Sequence, residues 1–347
     1  MLFPKNHVLR YRKYLRNARH LTTRKLANIL RTEWRYRANN PAMHGLYPYI
    51  LFVDLSNSCN LKCPLCPTGR GHLIPRDNRM TLENYKKLIE PLCDYLYQVF
   101  LFNNTEPFLN KDVYEIIRLN TSSNIGSVVS SNLSLKIDSA QLVDSGLDYL
   151  IVSGDGVTQD VYEKYRVHGK VQLVIDNIRQ LVQARERAKA KLPFIEWQCL
   201  VNRHNETHLR EIKAFALSLG VDSVRFTDTN FYAVQGDPEQ IELEAEWLPL
   251  AGAFRRFESE KMRIPEDAVR KPCHFLWRTA VVNSNGGVNP CCLYDTSDWG
   301  NALDESFAEI WNSTHYQGAR RLGTEGSVRA SETICDKCQA PFIWKRQ

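Results

Sequence analysis

The chain has 347 residues, 43% of them apolar and 24% charged, a globular mixture that excludes a collagen-like or wholly disordered protein. No apolar run approaches the ~20 residues that span a bilayer, and the basic N-terminus lacks the apolar core of a signal peptide, so the expected compartment is the cytoplasm. The net charge of +6 is uneven: residues 1–40 hold eleven Lys/Arg against the single acidic Glu33, a local +10 that leaves −4 on the rest.

Residues 1–46 read as a basic helical arm. Val8, Tyr11, Leu15, Ala18, Leu26, Ile29, Leu30 and Trp34 fall mostly at steps of three and four. Two readings stand side by side: a helix packed on the body with a solvated basic face, or a docking surface for an acidic redox partner, an anionic substrate or lipid headgroups. The second reading adds the inner membrane face as a peripheral location and a lipid-linked glycan as a substrate. No nucleic-acid partner is expected, because no aromatic–basic interleaving follows in the body.

From Tyr49 the pattern alternates. "YILFVDLS" predicts a strand that runs into the cysteine-rich loop "CNLKCPLC". Thr81 is a good N-cap for the helix "TLENYKKLIEPL", with Glu83 in its first turn. "YQVFLFN" predicts a strand, "KDVYEIIRLN" a helix, "GSVVSSN" a strand, "DSAQLVDSG" a helix and "LDYLIVSGDG" a strand. Helices fill roughly 158–190; then come the strand "PFIEWQCLV", the helix "NETHLREIKAFALSLG" and the strand "VDSVRFT". Six strand–helix alternations argue for a parallel sheet with right-handed crossovers, an α/β fold of the partial (β/α)6 barrel type over residues 47–230. Six units stop short of the eight of a closed barrel. In such folds the chemistry sits at the C-terminal ends of the strands. Residues 231–270 are polar and acidic and read as a linker with a helix near 245–260. Residues 271–347 form a small Cys-rich unit.

Ten cysteines need a reason, and in a reducing compartment clustered cysteines are metal or redox groups before they are disulfides. Cys59, Cys63 and Cys66 stand at C-x3-C-x2-C spacing just past the first strand. They suit three corners of an iron–sulfur cube with one corner left open. The alternative is a zinc site completed by His72. Farther on, Cys273, Cys291, Cys335 and Cys338 make a set of four able to close a second cluster or a zinc ribbon, with Cys292 as an alternate for Cys291. Cys93 reads as core.

The C-x3-C-x2-C loop after the first strand resembles the radical S-adenosylmethionine (SAM) superfamily. The resemblance implies that SAM chelates the open iron, and that its reductive cleavage yields a 5′-deoxyadenosyl radical that abstracts hydrogen from substrate. "NTEPFLN" is similar to the family's Gly-Gly-Glu-Pro turn, with Asn104, Thr105 and Glu106 in the places that bind the SAM amino group and both glycines replaced. Ser130, Ser131 and Asn132 resemble the polar end of the third strand. "IVSGDG" resembles the end of the fourth, with Ser153 implied as a SAM contact and Asp155 as a turn or ribose-side residue. Arg166 matches a downstream basic residue that would face the SAM carboxylate, and Leu65 a bulky residue against the adenine. The C-terminal cysteines, with Gly286 five residues before Cys291, are similar to the Twitch form of the SPASM domain, which holds one auxiliary 4Fe-4S cluster.

The expected reaction is dehydrogenation or epimerisation of a hydroxylated small molecule (a sugar, an aminocyclitol or the glycan above), because the winged-helix recognition domain common in peptide-modifying relatives finds no counterpart in the arm. Asp228 is the candidate base for dehydrogenation, and Cys199 the candidate hydrogen donor for epimerisation. A flavodoxin or ferredoxin is the expected reductant. The alternatives are a maturase of a ribosomal peptide and a non-catalytic iron–sulfur protein.

Overall fold

The structure is a computed structural model that describes residues 18–72, 79–229, 239–255, 270–292, 299–322 and 333–338. Six strands follow one another across a parallel sheet: β1 (Ile50–Val53), β2 (Gln98–Phe100), β3 (Gly126–Ser131), β4 (Tyr149–Ser153), β5 (Phe194–Val201) and β6 (Ser223–Asp228). Each pairs with its sequence neighbour, as the strand–helix alternation predicts. Thr81 caps the helix Leu82–Ile89, its side chain accepting from the Asn84 amide. The helices Val113–Ser122, Ser139–Asp144, Gln159–Tyr165, Val171–Arg187 and Leu209–Ser218 make the crossovers.

Two departures from the sequence reading matter. The Cys-rich unit shares the sheet of the barrel: β7 (Thr279–Val282) pairs parallel with β1, and β8 (Val288–Asn289) runs antiparallel to β7. The helix expected near 245–260 lies earlier, at Gln240–Trp247, and residues 256–269 fall outside the described residues.

The period of two along each strand splits the sheet into two faces. Leu51, Val99, Val129, Leu150, Ile195 and Trp197 point outward into one core with Ile116, Leu142, Ile178 and Ile212 of the helices. Val128, Tyr149, Ile151 and Phe194 form a second cluster on the inner face with Phe100 and Phe102.

The helix Thr23–Arg37 crosses the N-terminal ends of the strands and turns its polar residues inward. Asn28 brackets Tyr47, donating to its carbonyl at 3.0 Å and accepting from its amide at 3.1 Å. The buried Lys25 ammonium donates to the carbonyls of Ser123 and Asn124, just before β3. Glu33 accepts from Tyr49 Oη (2.8 Å) and Arg278 (2.6 Å), before β1 and β7. Residues 1–17 of the predicted arm lie outside the described residues. No helix among the described residues is long and apolar enough to cross a membrane.

Candidate functional site

At the opposite ends of the strands, β1 runs straight into the cysteine loop. Asp54, 5% exposed, organises the neighbouring turn: it accepts from Asn103 N (2.9 Å), Asn104 N (3.3 Å) and Thr105 Oγ1 (2.7 Å). The Thr105 hydroxyl therefore gives a structural reason for the residue that replaces glycine. Sequence reasoning passed over Asp54; the signal was a carboxylate closing an otherwise apolar strand. Backbone pairing of Glu106 N with Ser58 O (3.0 Å) ties this turn to the residue before Cys59.

The loop's sulfurs meet several donors. Leu61 N lies 3.4 Å and Asn132 Nδ2 3.8 Å from Cys59 Sγ, and an Arg166 guanidinium nitrogen lies 3.7 Å from Cys63 Sγ. Cys66 N donates to Cys63 O at 3.1 Å. Burial pushes the Cys59 thiol up to about 12 and the Cys63 thiol up to about 11, with Arg166 opposing the rise at Cys63. Ligation by iron needs the thiolates, so cluster binding releases protons here.

The strand ends carry the other residues the sequence singled out. Glu106 is 2% exposed and braces the ends of β2 and β3, accepting from Ser131 Oγ (2.8 Å), Asn132 N (2.9 Å) and Phe108 N (3.2 Å). Burial lifts its carboxyl to about 7 against these donors. Ser131, not Ser130, makes that contact; Ser130 is half-buried on the inner face. Asn132 Nδ2 also donates to Asn60 Oδ1 at 2.9 Å, so one side chain joins β3 to the cysteine loop. Ser153 ends β4, and Gly154 follows under the Trp197 indole, which donates to Gly154 O at 2.6 Å. An added Cβ on Gly154 would stand 2.0 Å from that ring, so only glycine fits.

Arg166 is engaged within the protein. Its Nε donates to Asp155 Oδ2 at 2.6 Å, and Asp155 also accepts from Leu200 N at 2.7 Å. Asp155 keeps the guanidinium well above its ordinary value despite burial. The pair thus links the ends of β4 and β5 to Cys63. The side chain expected to face a ligand carboxylate is oriented by a carboxylate of the chain itself.

Residues 240–255, read from sequence as linker, cover the loop. Leu65, 3% exposed, packs in one apolar cluster with Leu61, Tyr165, Leu243 and Trp247. Tyr165 and His204 both meet the Trp247 ring edge-on, with centroids 5.3 and 4.9 Å away. Glu206 then holds the following turn through Leu250 N (3.0 Å) and Ala251 N (2.8 Å). The acidic surface residues of this stretch hid the contribution of Trp247.

Two candidates fall on the wrong side of the sheet. Cys199 is fully buried in the outer core and pairs in register with Phe226, so its thiol faces the helices and not the barrel interior. Asp228 pairs with Val201 and shares that outward side. The inner face instead carries a polar group that sequence reasoning missed. Glu196 accepts from Tyr149 Oη and Arg225 Nε, both at 2.7 Å, and Arg225 also donates to Gln198. Its signal was Glu196 and Gln198 at a period of two within an apolar strand.

In the C-terminal unit, Cys273, Cys291, Cys335 and Cys338 line one cavity with Arg270, Phe275, Leu276 and Pro290. Cys292 is not among the cavity's lining residues. Thr333 and Asp336 form a reciprocal capping box around the Cys335–Cys338 turn. Burial pushes Cys273 up to about 11 and Cys335 up to about 12. The buried Arg320 backs the cavity by donating from Nε to the carbonyl of its lining residue Leu276 (2.8 Å), its guanidinium 4.4 Å from the Trp311 ring centroid and 5.0 Å from that of Tyr316. Among the described residues, no three His, Cys, Asp or Glu side chains converge tightly enough to hold a single ion. Four thiolates are enough to close one iron–sulfur cube, each at a separate iron corner.

A family model described as the Radical SAM superfamily matches residues 53–192, and one described as an iron–sulfur cluster-binding domain, SPASM, matches residues 273–339. The chain belongs to the radical SAM superfamily. As a radical SAM enzyme with a SPASM domain it takes a SAM-binding 4Fe-4S cluster, SAM and auxiliary iron–sulfur, and it draws on a reductant. It is 22% identical over 326 residues to the AdoMet-dependent heme synthase of Oleidesulfovibrio alaskensis, covering 83% of this chain and 81% of that protein. It is 25% identical over 288 residues to the PqqA peptide cyclase of Xanthomonas campestris pv. campestris, covering 76% and 73%. The radical SAM fold is shared with SuiB of Streptococcus suis, solved bound to precursor peptide SuiA: the TM-score is 0.60 at 14% identity, over 92% of this chain and 75% of that one.

Proposed function

We propose that this radical SAM enzyme modifies a peptide. The observation that carries the reading is the relation to PqqA peptide cyclase across 76% of the chain. This replaces the first expectation of a hydroxylated small molecule. That expectation leaned on the arm having no recognition domain, which is a statement about leader binding and not about the barrel. Dehydrogenase or epimerase chemistry through Asp228 or Cys199 is likewise given up, since both sit on the helix-facing side.

In this reading Cys59, Cys63 and Cys66 hold the cluster and leave one corner for SAM. The bound cofactor supplies a 5′-deoxyadenosyl radical for hydrogen abstraction. The residues around it position and shield. Asn104, Thr105 and Glu106 present the turn held by Asp54, while Ser130, Asn132 and Ser153 line the strand ends. Asp155 orients Arg166 toward the cluster. Leu65, backed by Trp247, forms the apolar wall. Cys273, Cys291, Cys335 and Cys338 would hold one auxiliary cluster, which would supply an acceptor for the electron of the peptide radical left by hydrogen abstraction, and a flavodoxin or ferredoxin would supply the electron for SAM cleavage. The polar group Glu196–Arg225–Gln198 on the inner face would meet the peptide backbone. The chain divides into an arm at 1–46, a barrel at 47–230, a linker with a helix at 231–270 and the SPASM unit at 271–347, whose first strand joins the barrel sheet beside β1.

The test is anaerobic reconstitution followed by incubation with peptides encoded beside the gene. Mass spectrometry is expected to show loss of hydrogen from the peptide together with 5′-deoxyadenosine. Deuterium passing into 5′-deoxyadenosine from a hydroxylated small molecule, with every peptide unchanged, overturns the proposal. In the same preparation, Cys338→Ala is expected to lose about four irons per chain and Cys292→Ala none.

A further inference from the structure

We infer that the helix Thr23–Arg37 docks the protein on the surface of an anionic lipid bilayer, with the cysteine loop turned away from it. The helix is amphipathic the wrong way round for a soluble body. Lys25, Asn28 and Thr32 are buried, at 1%, 3% and 0% exposure, while Leu26, Leu30 and Trp34 stand out at 42%, 60% and 63%. The inward polarity has a cause: Lys25 and Asn28 satisfy backbone groups at the N-terminal ends of β3 and β1. The apolar side is then left facing solvent.

At 3.6 residues per turn, Leu26, Leu30 and Trp34 form one stripe, with the exposed Arg31 beside it and the exposed Arg37 at its C-terminal end. The Arg35 guanidinium lies 5.6 Å from the Trp34 ring centroid. An apolar stripe with tryptophan, edged by arginines, matches the bilayer interface, where apolar side chains enter the headgroup boundary and cations meet lipid phosphates. Charge argues against two other occupants. The 17 residues before Ala18 carry five Lys/Arg and no acid, so they repel this face. A second copy packed on the stripe would set arginine against arginine.

The geometry also separates docking from catalysis. The helix lies at the N-terminal strand ends and the cysteines at the C-terminal ones, so the arm tethers the enzyme without touching the substrate. This inference stands apart from the peptide reading.

Full-length protein is spun with vesicles of phosphatidylcholine alone or with phosphatidylglycerol added. Binding is expected only with phosphatidylglycerol, weakening as salt rises, and falling about tenfold or more in Leu30→Glu/Trp34→Glu. Leu30→Ile/Trp34→Phe is expected to keep it. Should the glutamate variant fail to fold, Arg31→Glu/Arg37→Glu carries the same expectation. The inference falls if wild type ignores anionic vesicles, if the folded variants bind undiminished, or if the stripe variants instead split a dimer in solution.

Discussion

Replacing Gly69 by alanine places a methyl group against the cysteine loop. The new Cβ would stand 2.3 Å from Cys63 O and 2.6 Å from Cys63 N. An ordinary contact needs about 3.4 Å, so backbone has to move by roughly 1 Å, and there is no flexible side-chain end to yield. The turn containing Gly69 cannot lift freely, because Arg70 N is bonded to Cys66 O and His72 N to Pro67 O, both at 2.9 Å. Overpacking of this kind costs about 1–3 kcal/mol, or a fall in Tm of roughly 1–4 °C at this chain length. The displacement falls on Cys63 itself, so iron content is expected to drop toward the ~4 atoms of the remaining cluster. Gly252→Ala is the control: nothing lies within 4 Å of its added Cβ, and it should melt with wild type. The assay is anaerobic reconstitution, iron determination and thermal melting of all three proteins. A Gly69→Ala protein with full iron and an unshifted Tm would refute the reasoning.

Two other predictions follow from buried charges. Arg166→Met or Asp155→Asn alone strands a charge or a donor, at about 3–5 kcal/mol when a charge is left, and the double variant is expected to recover part of the loss. Arg166→Met also withdraws a cationic donor from Cys63, so the cluster's reduction midpoint, followed by electron paramagnetic resonance, should become more negative; additive stabilities and an unmoved midpoint would count against the bridge. Burial lowers Lys25 from its ordinary 10.5 to about 8. The folded protein therefore binds fewer protons than the unfolded chain between these values, and stability rises with pH from about 8 to 10.5, by at most about 3 kcal/mol. Compared with Lys25→Met in melts across that range, wild type should show the gain and the variant should not.

The sequence by itself determined the fold type, the order of the six strands and both cysteine sets. These rest on local signals: alternation, caps such as Thr81, and cysteine spacing are all written within a few residues. It also placed Glu106, Asn132 and Asp155 at strand ends, because in a parallel sheet the residue after each strand lands on one rim, and Arg166 downstream of the fourth strand. What each of these touches was decided only by tertiary structure. Arg166 meets Asp155 and Cys63 across separations of 11 and 103 residues, and Asp54 meets Thr105 across 51. No local pattern encodes such pairings. Register decided the rest. One step along β5 separates Cys199, which faces the helices, from Gln198, which faces the barrel, and composition cannot tell the two faces apart while both are partly apolar. The arm shows the same limit. Its helical period was legible, yet which side faced inward depended on the backbone groups waiting at the strand ends, and these exist only once the sheet has formed.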